Sequence, residues 1–425
     1  MLHALVYASL FLHTVQCLDN DVGRTPPLGW NTWKTCGEAT CEHDNCNEGE
    51  IKSVALAMAA NGMQDLGYNY VNLDDCWASK RNTTDGTLTW DTERFPTGIP
   101  HLVQWLHARG FKFGLYTSAG NQTCSSGGRA YPIPGSKGHY TLDAATFASW
   151  QVDYVKFDWC GDIKKDLAVG KQAHLDFAHA MNVSGRPMFL EVVAGYFFLW
   201  DEVATVANSW RFCTDHHDSW SSTNVQMTCR LDQHTQAGAP GGWPFMDLLI
   251  TGGAGCSPFS KGPHCPGQTD TEYRTAFAMW SIAQSPLIVS SDVRNLTSVM
   301  RQTLLNQPLI QLHQSVLTPP GTHLGYWHCS ELLMCEVWGR SIHPSLTTHT
   351  NDTNEISWMV VLLNRGKKVH RITLDWQLIG LEQGQVCDVF DVWNNESQVG
   401  RNVSSSFTAT VPSHGTAVVR VTTVS

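Results

Sequence analysis

Carboxylates end several of the short β-rich runs in this sequence, and they are the residues best suited to chemistry. The run YVKFDW carries Asp158, and the run WRFCTD ends at Asp215. Glycoside hydrolysis needs two such groups, one to attack the anomeric carbon and one to protonate the leaving oxygen, and in retaining enzymes they lie about 5–5.5 Å apart. Asp158 and Asp215 fit this pair if their strands face one pocket. A lone aspartate at a strand end is more often a helix cap than a catalyst, so the prediction depends on the surrounding residues.

The neighbours of these aspartates favour a sugar ligand. Lys156 lies two positions before Asp158, so both side chains point the same way from one strand, and a cation there keeps a carboxylate ionised. Aromatic rings supply apolar faces for sugar C–H groups, and carboxylates accept hydrogen bonds from vicinal hydroxyls. Clustered like charges raise one another's pKa and therefore usually mark function. The other strand-end residues of these two kinds are Trp33, Asp74, Asp75, Tyr116, Glu191 and Asp247.

Eight β-rich runs separated by helix-like stretches must position these groups. The helix-like stretches include residues 48–67, 101–110 and 271–284. The alternation predicts repeated β-α units and a (β/α)8 barrel, in which functional groups lie where strands end and loops begin. An open doubly wound sheet is the alternative, but no G-x-G-x-x-G follows the first strand. The eight runs are LGWNTW (28–33), YNYVNLDD (68–75), FKFGLYT (111–117), VDYVKFDW (152–159), PMFLEVVA (187–194), NSWRFCTD (208–215), MDLLITGG (246–253) and PLIVSSD (286–292).

Past residue 315 the helical period fades and a second domain is expected. Segments such as EISWMVVLLNRG and KVHRITLDW alternate and end in turn residues. They predict an antiparallel β-sandwich of roughly 100 residues. The predicted division is a signal peptide at 1–17, a catalytic barrel at 18–314 and a C-terminal β-domain at 315–425.

Three features predict the secretory pathway, ending in the lysosome or outside the cell. The N-terminal segment MLHALVYASLFLHTVQC has the short apolar core of a signal peptide, and no later apolar run is long enough to span a membrane. The cysteines are spaced for disulfides, whereas a zinc site at residues 36–46 lacks C-x-x-C spacing and nearby histidines. Glycosylation sequons occur at Asn82, Asn121, Asn182, Asn295, Asn351, Asn395 and Asn402.

Composition limits the partners. The chain has 425 residues and a net charge of -10, so it lacks the basic field that nucleic-acid binding requires. The weakly acidic chain contains 17 tryptophans, which suits a neutral, hydroxyl-bearing ligand. A carbohydrate substrate is therefore expected, with no nucleic acid, no cofactor and no metal. A metal-dependent hydrolase is disfavoured because no H-E-x-x-H is present and His216 and His217 point opposite ways if extended.

The sequence resembles glycoside hydrolase family 27, the α-galactosidase and α-N-acetylgalactosaminidase family. The resemblance spans residues 18–295 and lies in family order. The C-terminal region resembles the family's β-domain in its general strand pattern more than in specific motifs. The matching stretches are LDNDVGRTPPLGWNTW, YNYVNLDDCW, FKFGLYTSAGNQTC, TFASWQVDYVKFDWC, WRFCTDHHDSW and GGWPFMDLL.

The resemblance implies a retaining, double-displacement mechanism on a (β/α)8 barrel. Asp158 takes the nucleophile's position in K-F-D, and Asp215 takes the acid/base position in D-x-x-D-S-W. Asp215 must then be protonated at working pH, so we expect an acidic optimum. Sugar contacts are implied for Trp33, Asp74, Asp75, Tyr116, Lys156, Arg211 and Asp247, and disulfides for Cys36–Cys76, Cys41–Cys46 and Cys124–Cys160. Dimers are common in the family, so a homodimer is among the implied assemblies.

The fifth run departs from the family pattern. The family's C-E-W is replaced by LEVVAGYFF, which keeps Glu191, as in the galactosidase branch, but has the small Ala194. GGWPFMD also replaces the commoner GGWNDPD around Asp247. With the strand-five cysteine missing, Cys213 could pair with Cys229 and Cys256 with Cys265, which leaves Cys387 unpaired.

Three functions therefore stay open at this point. The first is an exo-acting α-galactosidase, which Asp158, Asp215 and Glu191 favour. The second is an α-N-acetylgalactosaminidase or an enzyme for a related sugar such as a β-L-arabinopyranoside. The third is a catalytically silent sugar-binding protein, which the altered strand-five segment suggests and the two retained aspartates disfavour.

Overall fold

The computed structural model describes most of the chain. The described residues are 17–33, 46–125, 132–193, 198–253, 266–327, 329, 334–342, 356–382 and 384–424. Several predicted features lie outside the described residues: positions 1–16 of the signal peptide, Cys36, Cys41, Ala194, Asn351, Cys256 and Cys265.

Within the described residues the first domain contains eight parallel strands, of which the first seven pair in chain order, and a small antiparallel hairpin of Ala78–Arg81 and Leu88–Trp90. The last strand pairs with the first through Leu28 and Leu287. A parallel bridge between Leu249 and Val289 closes the remaining gap. The predicted (β/α)8 barrel is confirmed. Its strands are β1 (Leu28–Asn31), β2 (Tyr68–Asn72), β3 (Lys112–Ser118), β4 (Tyr154–Asp158), β5 (Phe189–Val193), β6 (Ser209–Arg211), β7 (Trp243–Phe245) and β8 (Leu287–Val289).

The seventh strand differs from the sequence prediction. The run at 246–253 was expected to form it, but β7 ends at Phe245, directly before that run. Asp247 has φ 71°, a left-handed conformation that cannot continue a strand. The chain regains only the single bridge at Leu249 beyond this kink. The kink sets Asp247 at the end of the strand, where a loop residue can reach the barrel mouth.

Local sequence explains where the helices begin. The Asn47 side chain accepts a hydrogen bond from the Glu50 N–H and caps α1, and Thr269 and Glu272 form a reciprocal capping box at the start of α8. No helix among the described residues combines the length and apolar character needed to cross a bilayer. The helices are α1 (Glu48–Ala60), α2 (Ile99–His107), α3 (Tyr140–Ser149), α4 (Leu167–Val183), α5 (Trp200–Val203), α6 (Trp220–Thr228), α7 (Leu231–Gln236), α8 (Asp270–Ile282), α9 (Ser298–Leu304) and α10 (Gln307–Gln314).

The second domain is antiparallel, as predicted. It begins after α10, and within the described residues its strands form a six-stranded sheet in the order β9-β10-β11-β16-β13-β14 and a two-stranded sheet of β12 and β15. Val360, Leu362, Ile372 and Trp376 belong to the buried core between these sheets. The strands are β9 (Thr322–Trp327), β10 (Cys335–Ile342), β11 (Ser357–Asn364), β12 (His370–Asp375), β13 (Val386–Asp391), β14 (Ser397–Ser404), β15 (Ser406–Val411) and β16 (Thr416–Thr423).

The disulfides correct one part of the implied pairing. Cys46, directly before the cap of α1, is bonded to Cys76, with 6.3 Å between their Cα atoms. A sulfur forms one disulfide, so the expected pairs Cys36–Cys76 and Cys41–Cys46 are wrong in this structure. The other bonds are Cys124–Cys160, Cys213–Cys229 and Cys329–Cys335, and Cys387 is a buried free cysteine.

Peptide mapping of the unreduced protein should find Cys46 joined to Cys76. Digestion at both aspartate and glutamate separates Cys36, Cys41 and Cys46, because Glu38 lies between the first two and Glu42 and Asp44 lie between the last two. A peptide that joins Cys76 to Cys36 would contradict the structure, and the reduced digest serves as the control.

Candidate active site

The predicted site residues meet at one end of the barrel, since parallel strands all end on the same face. Asp74 and Asp75 follow β2, Asp158 ends β4, and Arg211 ends β6. A cavity of about 140 Å³ opens there. Its described wall consists of Trp33, Asp74, Asp75, Tyr116, Cys124, Lys156, Asp158, Trp159, Cys160, Val193, Arg211, Asp215 and Asp247. All the expected contact residues except Glu191 therefore line one space.

Both oxygens of Asp158 are held by the protein. The Tyr116 hydroxyl donates to Oδ2 at 3.2 Å, and the Trp159 backbone N–H donates to Oδ1 at 2.8 Å. Burial, together with the nearby carboxylates of Asp158, Asp75 and Asp74, raises the pKa of Tyr116 well above its ordinary value. Tyr116 therefore keeps its proton and remains a hydrogen-bond donor to Asp158.

Lys156 and Asp74 form a buried ion pair on the cavity floor. Their Nζ and Oδ2 atoms lie 2.8 Å apart, and Asn31 donates a second hydrogen bond to the same oxygen at 3.0 Å. Burial would lower the pKa of Lys156, but the carboxylates of Asp74, Glu191 and Asp158 raise it above its ordinary value. Lys156 is therefore charged and lies within the electrostatic reach of Asp158.

Asp75 is held differently from its neighbour. It is buried and accepts a hydrogen bond from the Ser125 backbone N–H at 2.7 Å. Burial raises its pKa, the hydrogen bonds from Ser125 oppose that change, and the nearby Asp74 carboxylate adds to it. Asp75 thus presents a polar oxygen to the cavity from a fixed position.

Arg211 joins the two remaining carboxylates. Its guanidinium lies 2.6 Å from Asp215 and 3.0 Å from Asp247. Asp247 is anchored further by the backbone N–H groups of His216 at 2.7 Å and Leu248 at 2.8 Å. The Asp215 side chain is 69% exposed, whereas that of Arg211 is 5% exposed. Asp215 is therefore the carboxylate of this group that can reach an entering molecule and water.

Glu191 does not reach the described cavity wall. It is buried inside the barrel, where the Tyr154 hydroxyl donates to its Oε2 at 2.5 Å, and its Oε1 has no hydrogen-bond partner among the described residues. Burial raises its pKa to about 7, although Lys156 and the Tyr154 hydroxyl oppose the change. Val193, two residues further along β5, lines the cavity instead. The expected contact between Glu191 and a sugar is therefore not preformed.

Sequence reasoning missed several residues that build the site. Asn31 holds Asp74, Tyr154 holds Glu191, and the Trp159 N–H holds Asp158. The alternation along YVKFD could have identified Tyr154, because it shares the inward face of β4 with Lys156. The backbone N–H of Trp159 has no sequence signal, because every residue except proline has one. The pairing of Asn31 with Asp74 has none either, because the two residues lie on different strands.

The described residues offer no thiolate site for a metal near the cavity. Cys124, Asp158 and Cys160 come close enough to share an ion, but the two cysteines form a disulfide. His216 is buried and uses its ring nitrogens on the Leu248 carbonyl oxygen and the Thr223 hydroxyl. These side chains have structural partners in place of an ion.

A carboxylate-lined cavity with two buried cations, at the strand ends of a (β/α)8 barrel, has the groups that a glycoside hydrolase requires. The family comparison agrees: the model described as alpha galactosidase A matches residues 25–315, and the alpha galactosidase C-terminal beta sandwich domain matches residues 348–421. The chain belongs to the α-galactosidase A family, which is glycoside hydrolase family 27.

Curated relatives match over nearly the whole chain. An α-galactosidase of Cyamopsis tetragonoloba is 33% identical over 400 residues, which cover 93% of this chain and 86% of the relative. A probable α-galactosidase of Dictyostelium discoideum is 30% identical and covers 99% of this chain and 98% of its own. The crystal structure of α-galactosidase I from Mortierella vinacea superposes with a TM-score of 0.78 at 27% identity, covering 95% of this chain and 98% of that one.

Replacing Glu191 by Gln should change how stability depends on pH. Because burial raises the pKa of Glu191 from 4.5 to about 7, its contribution to stability is fully present below pH 4.5 and is lost as the pH rises through 7. The wild type should therefore lose about 3 kcal/mol relative to Glu191→Gln between pH 4.5 and 8. Thermal unfolding at several pH values measures this difference.

Glu93→Gln is the control, since Glu93 is an exposed glutamate and should leave the profile unchanged. A constant difference in melting temperature between the wild type and Glu191→Gln across this range would show that the Glu191 pKa is not raised.

Proposed function

We propose that this chain is a retaining, exo-acting α-galactosidase that removes terminal α-D-galactosyl residues from oligosaccharides, glycolipids or glycoproteins. The observation that carries the proposal is that Asp158 and Asp215 line one cavity in different settings. Asp158 is held by Tyr116 and lies near the buried Lys156. Asp215 is exposed and forms an ion pair with Arg211. These settings suit a fixed nucleophile and an accessible proton carrier.

The proposed reaction proceeds in two displacements. Asp158 attacks the anomeric carbon, the bond to the leaving oxygen breaks, and Asp215 gives that oxygen a proton. Asp215 then takes a proton from water, whose oxygen attacks the same carbon and releases Asp158. The oxocarbenium-like transition states carry positive charge, which the carboxylate of Asp158 stabilises. Lys156 and Arg211 hold Asp74 and Asp247 in place before the sugar enters.

The size of the cavity supports attack on terminal residues. Its volume of about 140 Å³ is below the range of roughly 300–1,000 Å³ that holds drug-sized ligands. One sugar ring can enter, and the rest of the substrate must remain outside. A cavity of this size supports the removal of one terminal sugar unit at a time.

Disulfides and exposed sequons support the secretory pathway as the location. Four disulfides within the described residues require an oxidising compartment. The six described sequon asparagines are all exposed, as glycosylation requires: Asn82, Asn121, Asn182, Asn295, Asn395 and Asn402. We propose a glycosylated lysosomal or secreted enzyme.

Asp158→Asn should lower kcat for a nitrophenyl α-galactoside by roughly 10⁴-fold or more, the scale on which loss of a nucleophile acts. The amide keeps the size of the side chain and the oxygen that accepts from the Trp159 N–H, but its NH2 replaces the oxygen that accepts from Tyr116, and it cannot form the ester. Asp201→Asn, which changes a carboxylate on α5 outside the cavity wall, is the control. Near-normal turnover by a folded Asp158→Asn protein would rule out Asp158 as the nucleophile.

The position of Glu191, away from the cavity wall, favours two alternative substrates: an α-N-acetylgalactosaminide and a β-L-arabinopyranoside. With Glu191 turned to Tyr154 and Val193 in the wall, the described part of β5 places no carboxylate beside the sugar. A putative α-N-acetylgalactosaminidase of Bacillus halodurans and a β-L-arabinopyranosidase of Geobacillus stearothermophilus share the fold, with TM-scores of 0.68 and 0.76. Either activity is compatible with Asp158 and Asp215 in their proposed roles.

The nitrophenyl α-galactoside should give a higher kcat/KM than the α-N-acetylgalactosaminide or the β-L-arabinopyranoside. The three substrates share a leaving group, so differences report recognition of the sugar. Higher kcat/KM for either of the other two would reassign the specificity without changing the mechanism.

A further inference from the structure

Helix α6 supports the segment that carries Asp215. The Gln226 side chain donates to the Thr214 carbonyl oxygen at 2.7 Å, and the Thr223 hydroxyl lies 2.9 Å from the His216 ring. These contacts fall on the residues either side of Asp215. The Cys213–Cys229 disulfide joins the same segment to the residue that ends the helix. Helix α6 is therefore bonded to the residues on both sides of Asp215.

The C-terminal β-domain contacts the start of α6 through His414. The imidazole stacks on the ring of Trp220, with centroids 4.3 Å apart and planes 13° from parallel. Its Nδ1 lies 2.6 Å from the Glu272 carboxylate, and the Thr275 hydroxyl donates to the His414 carbonyl oxygen at 2.8 Å. The tryptophan at the start of α6 thus packs on a ring that is fixed to α8.

Arg365 contacts the same helix further along. Its Nη1 donates to the Asn224 side-chain oxygen at 2.8 Å, while its Nε and Nη2 bind the Glu336 carboxylate at 2.5 and 3.0 Å. Arg365 and Glu336 are both nearly buried, with 7% and 6% of their side chains exposed. The guanidinium is therefore fixed within the β-domain and presents its remaining donors to α6.

We propose that the C-terminal β-domain positions the acid/base, with Arg365 and His414 as positioning residues that act on Asp215 through α6. The proposal rests on the role of Asp215 proposed above. Proton transfer requires hydrogen-bond distance to the leaving oxygen, and a misplacement of about 1 Å can lower a rate by about 10²-fold. Attack by Asp158 on the opposite side of the sugar does not depend on this support.

The experiment weakens both contacts with α6 in the full chain. Asn224→Ala deletes the side-chain acceptor of Arg365 at 2.8 Å, leaves the longer contacts of 3.4 Å to the carbonyl oxygens of Asn224 and Met227, and keeps the buried Arg365–Glu336 pair intact. His414→Gly deletes the stacked ring, and glycine suits the left-handed backbone at this position, where φ is 55°. The two single variants and the double variant are compared with Glu396→Gln, which weakens the Arg420–Glu396 pair of the β-domain without touching α6.

The readout is kcat/KM across aryl and alkyl α-galactosides with leaving groups of increasing pKa. Leaving groups of low pKa depart without a proton, so a misplaced acid costs rate only with poor leaving groups. The double variant should lose at least about 10-fold on an alkyl galactoside or a disaccharide and less than about twofold on the most activated aryl galactoside. Asp215→Ala should show the same selectivity with a larger loss, and Glu396→Gln should match the wild type.

An equal loss across the series, or no loss in a double variant that folds, would overturn the positioning role. If the double variant does not fold, Asn224→Ala alone is used for the same test, because it leaves the Arg365–Glu336 and His414–Glu272 pairs in place. If Asp215→Ala itself shows no dependence on the leaving group, the acid/base assignment fails, and the positioning proposal fails with it. If only Asp215→Ala shows the dependence, the positioning proposal fails alone.

Discussion

Two buried cations stabilise the carboxylates that line the cavity of this protein. Lys156 and Arg211 lie among the carboxylates of Asp74, Asp158, Asp215 and Asp247, which would repel one another without them. Burial lowers the pKa of Arg211, but Asp247 and Asp215 raise it above its ordinary value, so its charge is secure. Removing one member of a buried ion pair costs about 3–5 kcal/mol because the other charge stays uncompensated. Each buried charge therefore depends on its partner, and the ion pairs hold the side chains of the site in place before substrate arrives.

The barrel supplies the positions that this arrangement requires. Lys156 and Asp158 face inward from β4 at successive levels, and the register of β3 against β4 sets Tyr116 beside Lys156. The Cys124–Cys160 disulfide joins the segments that follow these two strands. Each carboxylate therefore enters the cavity from a strand end that is held independently of the sugar, and a preorganised site of this kind pays no reorganisation cost during the reaction.

Much of this could be predicted from the sequence, because alternation and strand-end position are local properties. The barrel, the β-domain and the shared location of Asp158, Lys156 and Asp215 followed from such patterns together with the family resemblance. The failures were non-local. The turn of Glu191 toward Tyr154 depends on a partner from another strand, and the Cys46–Cys76 bond depends on how α1 packs beside β2. The kink at Asp247 could not be predicted, because the residue in the left-handed conformation is an aspartate and not the glycine that usually marks such a position.

The most direct test of the central claim is a crystal structure of the enzyme after reaction with a fluorinated galactosyl substrate that forms the glycosyl-enzyme faster than it is hydrolysed. We expect an ester between the anomeric carbon and Asp158, with the Lys156–Asp74 pair unchanged beneath the sugar and Asp215 facing water. A sugar joined to Asp215 or to any other carboxylate would contradict it. So would a sugar bound with its anomeric carbon away from Asp158.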